Sequence, residues 1–279
     1  MRSPWLAFPF LITATAVWLV AIATPVPATA QRDVSTVREQ RQVVVAGVDE
    51  IWQLVWDRPP VDRCGLENLP GAITCPCSGW AYGQSGKASL VRRRNGRELE
   101  RMALGPLFRI EDLDGPDLPK GDAILQRWPQ QALDTERVHV GVTLARDIKR
   151  RPAPDIMQMA DYDRDGAATE FLLQVATLPC GKRQFIAVGV TGRNSRLLGL
   201  TTAAHPEAPL VMPEPAWQAL ARAAGPTTVP TWECGDHASE RRTELVVSAT
   251  NGQIRVRNRS FSCPDNNGGA ERLIEDTEW

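Results

Sequence analysis

The sequence contains few histidines and no recognisable catalytic motif. Its three histidines are scattered along the chain, at His139, His205 and His237. We find no Gly-x-Ser-x-Gly, no His-Glu-x-x-His, no phosphate-binding loop and no dinucleotide fingerprint. A concentrated basic face is also missing, because 32 Lys and Arg are balanced by 33 Asp and Glu, for a net charge of −1. These absences exclude the enzyme classes that carry such motifs and predict that the protein does not bind nucleic acid.

Charged residues are nearly absent from the N-terminal segment. Arg2 is the only charge before Arg32, an apolar run follows over about residues 6–22, and Ala28-Thr29-Ala30 comes after two prolines. A charged start, an apolar middle and a small-x-small end are typical of a secretory signal peptide. We therefore predict a signal peptide over residues 1–30 and a secreted or periplasmic protein. The alternative is an uncleaved membrane anchor, since the apolar run is nearly long enough to span a bilayer.

Cysteine is absent until residue 64, which argues against an N-terminal lipid anchor. The six cysteines are Cys64, Cys75, Cys77, Cys180, Cys234 and Cys263. An even number in an exported chain is typical of disulfides. Pairing of Cys234 with Cys263 is favoured, because both flank one predicted hairpin. Cys64 could pair with Cys75 or Cys77, and Cys180 would take whichever is left. A zinc site is disfavoured, because Cys75 and Cys77 are separated by one residue and no histidine lies nearby.

Most of the mature chain shows the apolar and polar alternation of β-strands. Two hairpins are predicted over 88–104 and 243–261, each with an Asn-Gly turn between alternating runs. Residues 138–144 are predicted as a further strand. Only residues 213–224 have apolar residues at helical spacing, with proline at the start and Gly-Pro beyond the end. We therefore predict a mainly β protein, with antiparallel hairpins in a sandwich- or barrel-like domain and one clear helix.

The composition divides the mature chain into three regions. Residues 31–110 are predicted as an N-terminal region of strands and a cysteine-rich loop. Residues 111–137 include a stretch rich in Asp, Pro and Gly and are predicted as a loop or linker. Residues 138–279 are predicted as a second β-rich region, which contains an unusual acidic loop.

The acidic loop is the stretch DYDRDGAATE, residues 161–170. Aspartates occupy its first, third and fifth positions, and Gly166 at the sixth position permits a sharp reversal. Clustered carboxylates repel one another, and a hard cation removes that repulsion. We predict one structural calcium ion, with these ligands: Asp161, Asp163, Asp165, Glu170 and the carbonyl of Ala167. The alternative is an Asp-rich turn without an ion, because Asp and Gly are common turn residues.

The residues after this loop distinguish it from an EF-hand. Its twelfth position is Leu172 where an EF-hand has glutamate, and residues 171–176 and 184–190 have the pattern of a β-hairpin. An Asp-rich loop that leads into a strand resembles the calcium loops of FG-GAP and VCBS repeats, which read D-x-D-x-D-G-x-x-D/E. The resemblance covers residues 159–176 and implies a calcium loop, although Thr169 stands where the family has its last acid. A full β-propeller is not expected, because the chain has one copy of the loop.

Three functions are compatible with this pattern. The leading hypothesis is an exported, non-enzymatic protein with a structural or binding role and an unknown protein or carbohydrate ligand. The second is a secreted hydrolase whose site is assembled from distant residues, around Asp236 and His237. The third is a carbohydrate-binding module with an aromatic groove, although aromatic side chains of such area also suit a core. The tryptophans available for a groove are Trp52, Trp56, Trp80, Trp128, Trp217, Trp232 and Trp279.

Overall fold

A computed structural model describes residues 35–74, 77, 79–108, 117–138, 142–178, 182–192, 194–264 and 270–279. Residues Asp33–Trp279 form one compact unit. The predicted signal peptide, residues 1–30, lies outside the described ranges. The prediction of a mainly β protein is confirmed: the described strands form four antiparallel sheets, without a closed barrel or a propeller. In the same ranges no helix combines the length and the apolar character needed to cross a bilayer.

The described strands are, in chain order, β1 (Thr36–Val45), β2 (Val48–Trp56), β3 (Val61–Asp62), β4 (Gly83–Gly86), β5 (Ala88–Arg94), β6 (Arg97–Ala103), β7 (Ala123–Gln126), β8 (Glu170–Leu178), β9 (Lys182–Thr191), β10 (Asn194–Gly199), β11 (Met212–Pro213), β12 (Thr227–Trp232), β13 (Arg241–Thr250), β14 (Gln253–Ser262) and β15 (Arg272–Glu278). The α-helices are α1 (Leu69–Ile73), α2 (Asp134–Arg137), α3 (Val142–Lys149) and α4 (Glu214–Arg222).

Three four-stranded sheets contribute to the two largest hydrophobic cores. The first sheet has the order β1-β2-β5-β6, and the third has the order β12-β13-β14-β15. In the second sheet, β9 pairs with β8 on one side and with β10 and β11 on the other. A small sheet, β3-β4-β7, completes the fold. Regular hydrogen bonding within each sheet leaves its two faces free to pack, as strand geometry requires.

The second sheet separates the two cores because successive side chains of a strand point to opposite faces. One core joins its first face to the first sheet and contains Trp52, Leu54, Leu90, Phe171, Leu173, Ile186 and Val188. The other core joins its opposite face to α4 and the third sheet and contains Ala187, Leu200, Trp217, Leu220, Leu245, Val247 and Val256. The predicted regions 31–110 and 138–279 thus share the first core. Their division at 111–137 stays a prediction, since residues 109–116 are not described.

Both predicted Asn-Gly hairpins are present. The β5–β6 turn has φ of 51° at Asn95 and 76° at Gly96, and the β13–β14 turn has 50° at Asn251 and 75° at Gly252. Two successive residues with positive φ form the type I′ turn, whose twist matches that of paired strands. The predicted helix is also confirmed, as α4, with Trp217 buried against the second core.

The strand predicted over 138–144 is wrong from Val142 onward. These residues begin α3, in which Leu144 and Ile148 are fully buried at a helical spacing of four. They pack with Tyr82 in a smaller core beside the cysteine loop. The apolar alternation of VHVGVTL is too short to distinguish a strand from one face of a helix. The predicted linker, 111–137, also contains regular structure, because β7 and α2 lie within it.

Two disulfides are present among the described residues. Cys234 is bonded to Cys263, the pairing favoured from the sequence, and Cys64 is bonded to Cys77, one of its two predicted partners. In each bond the Cα atoms are 5.6 Å apart. Cys75 and Cys180 lie outside the described residues.

Candidate metal centre

The acidic loop is closed at its base by a pair of backbone hydrogen bonds. The N–H of Ala160 donates to the carbonyl of Glu170 at 2.8 Å, and the N–H of Glu170 donates to the carbonyl of Ala160 at 3.2 Å. Between these residues the chain reverses with positive φ at Arg164 (59°) and Gly166 (96°). The loop therefore enters β8 directly, as the pattern of the sequence predicts.

Three of the four acidic side chains converge inside this loop. One carboxylate oxygen from each of Asp161, Asp163 and Glu170 lies within 4.8 Å of the other two. Asp163 is 1% exposed and Glu170 is fully buried, whereas Asp161 is half-buried. Charged carboxylates are stable in such a place only when they are paired, hydrogen-bonded, protonated or bound to a cation.

The hydrogen bonds of the two aspartates leave one oxygen without a partner. Asp161 accepts from the N–H of Asp165 and from the N–H of Gly166, each at 3.0 Å. Oδ1 of Asp163 accepts from the N–H of Asp165 at 3.1 Å. Oδ2 of Asp163 is buried and has no hydrogen-bond partner among the described residues. A buried oxygen without a donor can accept from water or bind a cation.

Glu170 is the most deeply buried carboxyl group of the cluster. Its Oε2 accepts from the N–H of Tyr162 at 3.0 Å, and its Oε1 lies 2.8 Å from the hydroxyl of Thr169. The Thr169 hydroxyl is also 2.6 Å from the carbonyl of Val190, to which it can donate. A protonated Glu170 can then donate to Thr169, so this chain of hydrogen bonds suits either a bound proton or a bound cation.

The ionised forms of both buried acids are disfavoured in the absence of a cation. Burial is the main cause that raises the pKa of Glu170, to about 8, and the charges of Asp163 and Asp165 add to it. Burial likewise raises the pKa of Asp163, to about 6, with contributions from Asp165 and Asp161. A divalent cation reverses this preference, because it stabilises the ionised oxygens that burial destabilises.

Asp165 and Ala167 have other contacts in the structure. The carboxylate of Asp165 accepts from the N–H of Ala167 at 2.8 Å and from the N–H of Gly192, in the β9–β10 turn. The carbonyl of Ala167 accepts from the N–H of Thr169 at 3.0 Å. Asp165 thus ties the loop to the neighbouring turn, and its role as a ligand, like that of the Ala167 carbonyl, stays a prediction. No local pattern in the sequence indicates the contact with Gly192.

Elements distant in sequence hold the other side of the loop. The N–H of Gly252, in the β13–β14 turn, donates to the carbonyl of Asp163 at 2.9 Å. Arg164 donates to the carbonyls of Ala221 and Ala223 at the end of α4, at 3.2 and 3.0 Å. The ring of Tyr162 packs edge-on against Trp217 of α4, with centroids 5.8 Å apart. The acidic loop is therefore a junction between the second sheet, α4 and the third sheet.

Two other sets of residues belong to the alternative functions, the hydrolase site around Asp236 and His237 and the aromatic groove of a carbohydrate-binding module. The carboxylate of Asp236 pairs with Nζ of Lys182, which also lies 3.6 Å from the ring centroid of Trp232. The side chains of His139 and His237 lie outside the described residues. Five of the seven tryptophans are buried rather than displayed on the surface, and only Trp232 and Trp279 are half-buried. The buried ones are Trp52, Trp56, Trp80, Trp128 and Trp217.

Comparison with known proteins does not add to this description. No family model, no curated protein and no solved structure matches the chain.

Proposed function

We propose that this chain is an exported, disulfide-stabilised β protein that binds one structural calcium ion in its acidic loop. The observation that carries the proposal is the position of Asp163 Oδ2, which is buried and unpaired where three carboxylates converge. A cation bound there provides the missing partner and removes the repulsion among Asp161, Asp163 and Glu170. It also stabilises the ionised forms of Asp163 and Glu170, which burial disfavours.

The chemistry of the donors favours calcium. The three converging side chains offer only carboxylate oxygens. Zinc prefers nitrogen and sulfur, and magnesium takes fewer protein ligands and retains much of its water. Calcium accepts six to eight oxygens at about 2.3–2.6 Å, so Asp165, the carbonyl of Ala167 and water can complete its coordination. The resemblance to FG-GAP and VCBS loops supports the same ion.

A structural role follows from the contacts of the loop. The backbone of the loop is bonded to the β13–β14 turn, and Arg164 is bonded to the end of α4. An ion that orders the loop therefore stabilises the packing of the second sheet against α4 and the third sheet. Export is supported by the two disulfides, which persist in oxidising compartments, and by the signal-like segment 1–30. Extracellular calcium sites are often weak, with dissociation constants of about 10⁻⁴–10⁻³ M.

Calcium titration of the oxidised chain from residue 31 onward tests the metal site. We expect one ion to bind, with a dissociation constant of about 10⁻⁴–10⁻³ M, and magnesium to bind more weakly. Asp163→Asn should weaken calcium binding at least tenfold, because it replaces a charged buried ligand by a neutral one. Asp49→Asn is the matched control, since Asp49 is exposed at the start of β2. No binding up to 10 mM calcium, or wild-type affinity in Asp163→Asn, would contradict the proposal.

Terbium luminescence provides a second readout of where the ion binds. Tyr162 lies within the loop and contacts Trp217, so excitation of these rings should sensitise a lanthanide held by the neighbouring carboxylates. Calcium should displace the terbium and remove the emission. Emission that persists in Asp163→Asn would place the lanthanide elsewhere.

Export is tested separately from metal binding. Residues 1–40 fused to a reporter enzyme that folds only after export should give active reporter, and mass spectrometry should find cleavage after Ala30. Reporter retained in the cytoplasm would refute export and leave the metal titration unaffected.

A further inference from the structure

A second candidate binding site lies along the edge of β8 that, among the described residues, is unpaired beyond Glu170. A groove of about 530 Å³ separates this edge from residues 154–160 and is also lined by residues 124–126 of β7 and by the last turns of α4. We call it the edge groove. Its volume falls within the range of about 300–1,000 Å³ that is typical of ligand pockets.

The alternation of residues along a strand determines which backbone groups of β8 face this groove. The carbonyl of Thr169 accepts from the N–H of Val190, so the backbone of Thr169 is hydrogen-bonded to β9. The backbone N–H and C=O of Glu170 point to the opposite side, away from β9, where they are hydrogen-bonded to Ala160. Because successive residues of an antiparallel strand alternate in direction, Leu172 and Gln174 also present their N–H and C=O groups outward. β8 pairs only with β9 and, at Glu170, with Ala160, so these outward groups have no backbone partner among the described residues.

The chain segment before the acidic loop does not cover this edge. The segment meets β8 only at the bridge of Ala160, and its residues N-terminal to that bridge lie against the first sheet. There the N–H groups of Ile156 and Met157 donate to the carboxylate of Glu39, at 2.8 and 3.0 Å. Glu39 therefore holds residues 156–157 against β1, and the edge groove lies between this segment and β8.

The side chains of the edge groove suit a ligand rich in hydrogen-bond acceptors. Arg183 and Arg222 line it, and neither has a carboxylate partner among the described residues. Two acidic side chains line it too, but Asp155 is paired with Arg41 at 2.8 Å and Glu214 accepts from Nε2 of Gln218 at 2.8 Å. Two other lining residues, Trp80 and Gln126, have buried side-chain N–H groups without an acceptor in the described part of the chain. Apolar residues line it as well: Met159, Leu172, Leu173 and Phe185.

We propose that the edge groove binds an extended peptide segment of another protein that carries an acidic side chain. The peptide adds as a strand to β8, with its backbone bonded to the outward groups of Leu172 and Gln174. Its apolar side chains contact the apolar lining residues, and its acidic side chain meets Arg183 or Arg222. Strand addition is a general mode of peptide recognition, and an uncovered sheet edge is its usual acceptor. The proposal does not depend on the calcium site.

Hydrogen exchange tests the geometry directly. In the free protein, the amides of Leu172 and Gln174 should exchange faster than those of Phe171 and Leu173, which are bonded to β9. A bound peptide should protect the first pair. Equal protection of all four amides in the free protein, or no added protection on binding, would refute strand addition.

Selection from a random twelve-residue peptide library, displayed on phage, tests the chemistry of the ligand. We expect the selected peptides to alternate apolar residues and to share an acidic position. The double variant Arg183→Glu and Arg222→Glu should weaken their binding at least tenfold, whereas Arg255→Glu, an exposed charge reversal on β14, should leave it unchanged. Peptides without an acidic preference, a library that yields no binder, or a glycan that binds the groove in place of peptides would overturn the proposal.

A matched pair of variants at Gln174 separates backbone from side-chain recognition. Gln174→Pro removes the outward N–H without removing a bond to β9, which strands tolerate at an edge. Gln174→Ala keeps that N–H, and both variants lose the bond from Gln174 Nε2 to the carbonyl of Gly79. Peptide binding should fall at least tenfold in the proline variant relative to the alanine variant. Equal binding by two folded variants would refute a backbone contact at this position, and a proline variant that fails to fold leaves the exchange measurement to decide.

Discussion

The substitution Glu170→Gln separates the two ways in which the acidic loop can be neutralised, by a proton or by a cation. Glutamine has nearly the shape of glutamate and is neutral at every pH. It can still accept from the N–H of Tyr162 and donate to the hydroxyl of Thr169, which replaces the contacts of a protonated Glu170. It is, however, a weaker calcium ligand. We therefore expect opposite effects on stability in the absence and in the presence of calcium.

The effect without calcium follows from the raised pKa of Glu170. Its value is about 8 in the folded protein, against an ordinary value of 4.5, and the side chain is fully buried. A raised carboxyl pKa favours folding at low pH, and this contribution is lost as the pH rises from 4.5 through 8. At pH 7 the loss amounts to roughly 3 kcal/mol. Glutamine avoids this loss, and imperfect hydrogen bonds cost about 1 kcal/mol, so the metal-free variant should be more stable by roughly 2 kcal/mol.

The effect of calcium is calculated from mass action. At 10 mM calcium and a dissociation constant of 10⁻⁴–10⁻³ M, binding stabilises the folded wild type by about 1.4–2.7 kcal/mol. For a chain of this size, 1 kcal/mol corresponds to about 2–4 °C in melting temperature. The wild type should therefore melt roughly 3–11 °C higher with calcium, and Glu170→Gln should shift by less than about 1 °C.

The assay is thermal melting of the oxidised protein at pH 5, 7 and 8.5, with calcium and with chelator. Glu278→Gln is the matched control, because Glu278 is exposed on β15, and it should behave as the wild type. A full calcium shift in Glu170→Gln would remove Glu170 from the site. A metal-free wild type whose stability does not fall between pH 5 and 8.5 would refute the electrostatic reasoning as a whole.

Three further predictions concern the packing at Gly189, the Cys234–Cys263 bond and the contact of Gly252 with the acidic loop. Gly189→Ala should destabilise the fold by about 3 kcal/mol in urea denaturation, because a Cβ at Gly189 would lie 2.1 Å from the carbonyl oxygen of Thr169. Gly225→Ala is the control and should be nearly neutral, since Gly225 has open space around it. Replacement of both cysteines of the Cys234–Cys263 bond by alanine should cost about 3–4 kcal/mol in the same assay, given the separation of 29 residues; an unchanged midpoint would show that the third sheet does not need this bond. Chelation of calcium should accelerate hydrogen exchange at Gly252, whose N–H bonds to the acidic loop, more than at any amide of β1; equal effects in both places would refute a local structural role.

Local patterns in the sequence predict much of this protein. The Asn-Gly pairs predict both hairpins, because a type I′ turn requires positive φ at two successive residues. Proline and Gly-Pro at its ends predict α4. The strand predicted over residues 138–144 is wrong from Val142 onward, because the few apolar residues of this run fit a strand as well as the start of α3. In the acidic loop, the alternate aspartates predict a cation site, but residue spacing alone cannot show which carboxylates meet.

What the sequence determines by itself is the chemistry of the parts: a mainly β chain, paired cysteines and an acidic loop that leads into a strand. The tertiary structure decides which of those groups come together. It buries Glu170 beside Asp161 and Asp163, turns Asp165 toward Gly192, and leaves the outer edge of β8 unpaired beyond Glu170 within the described part of the chain. The physical reason is that burial and pairing depend on contacts between residues far apart in the chain. Gly252 and Ala221 hold the loop from two distant elements, and no local pattern encodes their approach.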